Sequence, residues 1–254
     1  MQNALRESAR RRLLSRQHGL FGNKKLKTGA IAFTLSALLA STSAFSAEEE
    51  SCRNGFFPGY QGEYHQAEIR AGAGQVHFYD DMNGCPEKGE SCARKAWLVP
   101  GNRVLVAQTK PGWSCVWYFA KKRDFTSWIP SASLSPIPTR TVQEADWLGR
   151  WLPVEGNNVI TLSRRGDRLH VSGNADWHGG INSYGEQVVH VGEIDDDATV
   201  KGNRLTFGVP DSTTYECGGE MLLVNGNLIV RDNSNCGGMN VRFDSVYRLA
   251  EKTK

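Results

Sequence analysis

Few residues in this chain could do chemistry, and each group can be weighed separately. Cys52, Cys85, Cys92, Cys115, Cys217 and Cys236 could be nucleophiles, metal ligands or crosslinks. No two of them show the CxxC spacing that zinc sites use, so no metal is expected. A cysteine nucleophile also needs a histidine placed to take its proton. The histidines beyond residue 47 are His65, His77, His170, His178 and His190, and none has a nucleophile motif around it. GxSxG, HExxH and the P-loop are absent. Asp195-Asp196-Asp197 offers oxygen ligands without the alternating pattern of a calcium loop, and reads as an acidic turn between strands. No catalytic residue and no cofactor are expected.

Two segments remain. Residues 173–186, GNADWHGGINSYGE, place Asp176, Trp177, His178 and Tyr184 among four glycines between two predicted strands. Amphipathic aromatics on a loop suit a binding surface. Equally, Trp177 could plug one end of a barrel while the rest is turn chemistry. Residues 232–243, DNSNCGGMNVRF, read mainly as a tight corner. Asn233 and Asn235 favour turns through side-chain bonds to the backbone, and Gly237-Gly238 are expected to turn through positive φ. Cys217 is the partner left to Cys236 on this side of the chain; closing that loop is worth roughly 3 kcal/mol.

The compartment follows from the other end. Residues 1–47 carry eight basic side chains against one acidic, then an uncharged apolar run and the small-residue exit STSAFSA. That order predicts a cleaved secretory signal peptide. Glu48, Glu49 and Glu50 stand where a lipobox would precede Cys52, so no lipid anchor is expected, nor a stable membrane anchor after cleavage. The whole chain is formally +3, which leaves residues 48–254 near −4. Nucleic-acid binding is excluded with the leader's charge. An even cysteine count in an exported protein predicts a disulfide framework in an oxidising, periplasmic or extracellular space.

The elements that must position these residues are strands. QVHFYD (75–80), RVLVAQ (103–108), CVWYFA (115–120) and TSWIP (126–130) are rich in β-branched and aromatic residues, with turn signals PGN and KPG among them. After the proline-interrupted stretch 131–142, NVITLS, RLHVSG, VVHVGE, RLTFGV, EMLLV, NLIVRD, NVRF and SVYRL follow. Asn225-Gly226 between two of them is a strong hairpin signal. The expectation is an all-β chain: a module over 48–137, a linker over 138–146, and an eight-stranded antiparallel barrel or sandwich over 147–254.

AWLVPGNRVLV, GWSCVWYF and SWIPSASL, in that order, resemble a bacterial SH3-like domain over about residues 70–137. The resemblance implies a small barrel with an aromatic groove, for which Trp113 and Tyr118 are candidates, with Trp117 and Trp128 in the core. GCPEKGESC (84–92) sits where that family has its long first loop. Closing this loop on itself favours Cys85–Cys92, with Cys52 joined to Cys115, although four cysteines permit three pairings. The run CGGEMLLVNGNLIVRDNSNCGGMNVRFDSVYRL resembles the β domain that accompanies LprI-type lysozyme-inhibitor domains. The helical inhibitor domain itself is absent here. Together these likenesses imply a non-enzymatic protein of the cell envelope. It would bind a lysozyme-like wall hydrolase or, alternatively, peptidoglycan through the SH3-like groove; an accessory hydrolase is the third reading.

Overall fold

A computed structural model describes residues 51–210, 213 and 215–251. The expected leader lies outside the described residues. Among these the chain is all-β, with short 3₁₀ turns and no α-helix. The first seven strands are β1 (His65–Ile69), β2 (Val76–Tyr79), β3 (Ala93–Leu98), β4 (Arg103–Lys110), β5 (Trp113–Phe119), β6 (Asp124–Pro130) and β7 (Leu134–Ile137). They form one antiparallel sheet in the order β3-β2-β6-β5-β4-β1-β7.

The remaining eight are β8 (Gly149–Leu152), β9 (Val159–Arg165), β10 (Arg168–Ile181), β11 (Gln187–Lys201), β12 (Arg204–Gly208), β13 (Gly218–Val224), β14 (Asn227–Asp232) and β15 (Ser245–Leu249). They close into a barrel in the order β10-β11-β12-β13-β14-β15-β8-β9. Trp147, Trp151, Phe207, Phe243 and Tyr247 fill its interior, and the Trp151 indole N–H donates to the Trp147 carbonyl at 2.8 Å. The hairpin signal is realised: Asn225 and Gly226 both adopt positive φ, 47° and 83°, as a type I′ turn demands.

The apolar runs reveal where sheet and barrel meet. In β4, Val104 and Val106 join one core, while Leu105 and Ala107 join another on the opposite face. In β13 and β14, Met221, Leu223, Leu228 and Val230 point into the barrel; Val224 and Ile229 point out of it. These outward residues, with Val246 of β15, pack against Phe57, Leu105 and Trp117 of the first sheet. A strand covered on both faces reads as a continuous apolar run rather than an alternating one, which is why RVLVAQ, EMLLV and NLIVRD do. Sheet and barrel thus share a core, within one compact unit.

The disulfides are Cys52–Cys115, Cys85–Cys92 and Cys217–Cys236, and no cysteine is free among the described residues. Such a framework marks an oxidising, extracytoplasmic environment. No helix among the described residues is long and apolar enough to cross a membrane.

Several local expectations need correction. NVRF forms no strand; Val241 and Phe243 are drawn into the barrel core from an irregular segment, and the eighth strand is β8 instead. Asp195-Asp196-Asp197 is not a turn but the middle of β11. Asp197 pairs with His170 and Asp195 with Ser172 across the ladder. The two aspartates flank the buried His170 ring, whose Nε2 also accepts from Arg165 at 2.6 Å. The acidic run is therefore strand rather than loop, with Asp195 and Asp197 on the side of His170.

The corner also works differently. Gly237 and Gly238 do not adopt positive φ; Ser234 and Asn240 do, at 70° and 67°. Gly237 is needed for close approach, because a Cβ there would stand 2.7 Å from the Cα of Gly192. Asn233 organises the turn as expected. Its oxygen accepts from Gly218 and Asn235 N–H, and its amide donates to the Val209 and Glu216 carbonyls.

Candidate functional site: the β10–β11 ribbon

Residues 173–186, expected as a loop, are mostly strand. β10 and β11 stay paired from Leu169↔Ala198 to His178↔Val189, and only 182–186 turn. Their other neighbours stop sooner. The β9 ladder ends at Asn174↔Val159, and β12 covers only Ala198–Lys201. Past Asn174 the hairpin therefore continues as a two-stranded ribbon.

The disulfide corner props one edge of it. Glu193 N–H donates to the Cys236 carbonyl at 3.0 Å, and Gly238 N–H donates to the Val191 carbonyl at 3.1 Å. A Cβ on Gly192 would come within 2.4 Å of the Cys236 oxygen, so this contact needs glycine. Antiparallel ladders alternate the side to which successive residues bond. Val191 and Glu193 bond to the corner, so His190 and Gly192 bond across to Trp177 and Ala175. Asp176 and His178 then direct their backbone groups to the free edge beyond β9.

The two faces differ in character. On the inner one, Trp177 packs against the barrel core and stacks on His190, with centroids 5.3 Å apart. His190 Nδ1 lies 2.5 Å from the Met239 carbonyl. The reading of Trp177 as a plug and the reading of its segment as a surface are thus compatible: the indole anchors the root of a projection. On the outer face, Asp176 Oδ2 is hydrogen-bonded to His178 Nε2, and Val191 and Val189 stand across the ladder from them. No hydroxyl or thiol is hydrogen-bonded to His178 among the described residues.

At the tip, the Asn182 side-chain oxygen accepts from Tyr184 and Glu186 N–H at 2.9 and 3.0 Å. The Tyr184 ring projects from this braced turn at 87% exposure. Ile181, Val189, Val191 and Met239 are exposed as well. Large apolar side chains gathered on one projection need an explanation that a scattered few do not.

Trp113 and Tyr118 lie elsewhere. Trp113 packs edge-on against Tyr79 at 4.6 Å, on the face of β5 turned toward the barrel. Tyr118 belongs to the opposite face, beside Phe78 and Phe125. Two residues an odd number apart on a strand cannot share a face, so they form no common groove. Trp117 and Trp128 are core residues, as expected. Tyr118 instead borders a polar cleft of about 400 Å³ between sheet and barrel, with Gln66, Arg103, Asn225 and Arg248. Searches of protein-family models, curated proteins and solved structures find no match to this chain.

Sequence reasoning therefore brought together Asp176, Trp177, His178 and Tyr184 and missed Ile181, Val189, Val191, His190 and Met239. The signal was present in QVVHVGE, whose valines read as half-buried strand. Only the early end of β9 and β12 leaves them in water. Among the described residues, no set of three histidine, cysteine or carboxylate side chains is arranged to hold a metal ion.

Proposed function

We propose that this is an exported, periplasmic binding protein without catalysis of its own, which engages a lysozyme-like wall-degrading enzyme through the β10–β11 ribbon. The observation that carries this reading is the projecting ribbon, its tip braced by Asn182, with Ile181 and Tyr184 exposed toward its end and Val189 and Val191 exposed across the ladder from Asp176 and His178. Enzymes that cut a long glycan need an open cleft, and a narrow ribbon carrying one aromatic at its end can enter such a cleft. Preorganisation matters for affinity, because a turn already braced loses little entropy on docking. The likeness of residues 147–249 to an inhibitor-associated β domain supports the same partner class.

A second reading has the protein hold peptidoglycan. It is favoured by the polar seam cleft, where Tyr118, Arg103 and Arg248 could receive carboxylates and amides of a wall peptide. The purified, disulfide-bonded chain separates the two. Slowing of muramidase-driven lysis, lost on Tyr184→Ala, supports the first. Pull-down by insoluble peptidoglycan without inhibition, lost on Tyr118→Ala, replaces it with the second. Fragment release that depends on His178 would overturn both.

A further inference from the structure

We propose that the free edge of β10, at Asp176–His178, pairs with the same edge of a second copy of this chain, joining two ribbons into one antiparallel sheet about a twofold axis at Trp177. The inference concerns the edge of the ribbon rather than its tip and does not depend on the hydrolase reading.

The backbone supplies the template. Asp176 and His178 direct their N–H and C=O groups away from β11, and among the described residues no backbone group bonds to them on that side. Asn157 reaches the Asp176 carboxylate at 3.4 Å, but only with its side chain. An edge of this kind can accept another strand. The two edges of the first sheet are blunted against that: β3 carries Arg94 and Lys95, and β7 carries Pro136. Residues 175–181 hold no lysine, arginine or proline. A two-stranded ribbon is also marginal by itself, and further strands stabilise it.

The residue types select one register. In an antiparallel pair, residues with outward backbone groups face one another and exchange both N–H···O=C bonds. A twofold axis can then sit at Asp176, at Trp177 or at His178. An axis at Asp176 sets two carboxylates directly opposite each other, which is destabilising. An axis at His178 sets imidazole against imidazole and leaves Asp176 opposite Gly180, which has no side chain to match it. An axis at Trp177 sets each Asp176 opposite the partner's His178, acceptor against donor, and symmetry repeats the match.

The ends of the paired segment agree with this choice. In that register the partner's Gly180 falls opposite Asn174, whose edge β9 already occupies through Val159. The added strand must leave the ladder there. That is where β10 shifts register, between His178 and Ile181, across Gly179-Gly180. A bulge bends a strand at such a point, and a Cβ on Gly180 would meet nothing within 4 Å, so the departing chain is uncrowded. The Asp176–His178 pair, already bonded within one chain, gains its counterpart across the axis.

Sedimentation velocity of the disulfide-bonded protein from about 5 to about 500 µM tests this, since so short a contact is expected to be weak. The mass should rise from monomer to dimer. Amide exchange followed residue by residue over the same range should slow at Asp176 and His178, and far less at Ala175 and Trp177, which already bond to β11. His178→Asp sets carboxylate against carboxylate at both matches and should weaken association at least roughly tenfold. Adding Asp176→His restores the match in the same register and should recover most of that loss. Should His178→Asp not fold, the amide protection of the native protein decides. A monomer at every concentration, protection elsewhere than at Asp176 and His178, association indifferent to His178→Asp, or a folded double variant that stays monomeric would each overturn the proposal.

Discussion

Trp177 stacks on His190 across the β10–β11 ladder, their planes inclined by 30°. The contact joins the barrel core to the projecting ribbon, since Trp177 packs inward while His190 meets the Met239 carbonyl of the disulfide corner. Trp177→Ala is therefore expected to destabilise the protein by about 2 kcal/mol, below the cost of a fully buried tryptophan. Trp177→Phe should recover most of this. Urea unfolding of the three proteins is the check, and equal midpoints would remove the anchoring role.

Tyr184 should behave in the opposite way. Its ring touches solvent, so Tyr184→Ala is expected to shift stability by no more than about 0.5 kcal/mol. If the ribbon is the docking element, the same change should cost about 2 kcal/mol or more of affinity for the partner hydrolase, as at other aromatic hot spots. His178→Ala should follow the same pattern. Inhibition retained at full strength by both variants would rule the ribbon out.

Cys217–Cys236 braces the corner on which β11 leans. Replacing both cysteines with serine is expected to cost about 3 kcal/mol by the chain-entropy argument. Amide exchange should rise at Glu193 and Gly238 beyond that global loss, because their N–H groups donate across the contact between ribbon and corner. Mass mapping of unreduced peptides gives an independent check of the pairing.

The pH dependence of stability has a defined sign. Asp124 has an ordinary value of 3.8 and titrates at about 7 in the folded protein. Between these values the unfolded chain has released its proton and the folded chain has not. Unfolding then releases a proton, and this group's contribution to stability declines as pH rises from about 4 to about 7. Asp244 acts in the same direction up to about pH 6. Asp124→Asn does not titrate, so its stability relative to the native protein should improve by a few kcal/mol across that window. Urea midpoints for both proteins at several pH values measure the difference; a constant offset would contradict it.

The shared core predicts joint unfolding. Ile229 is buried against the first sheet although it belongs to the barrel. Ile229→Ala should cost about 3 kcal/mol and lower the unfolding midpoint of sheet and barrel together. Two separate transitions, only one of them shifted, would show the modules to be independent after all.

The strands themselves were largely legible, for particular reasons. Leu169/Val171 and Leu205/Phe207 alternate because β10 and β12 bury one face, and the period of two survives in the sequence. Asn225-Gly226 announces its turn because few other pairs tolerate positive φ at both positions. NVRF misled for the converse reason: Val241 and Phe243 alternate as a strand would, but they are buried from an irregular segment that no neighbouring strand claims. Gly149–Leu152 went unread because four residues hold too little pattern.

Composition, cysteine count and local periodicity determined on their own that this chain is all-β and disulfide-bonded, since those properties depend on residues near one another or on totals. Tertiary structure alone decided which apolar residues face water. Val189 and Val191 look like Val224 and Ile229 in sequence; the first pair lies beyond the last strands of the barrel wall, and the second lies beneath another sheet. Exposure is a property of what arrives from elsewhere in the chain. A surface made of exposed apolar residues therefore appears only once the fold is complete.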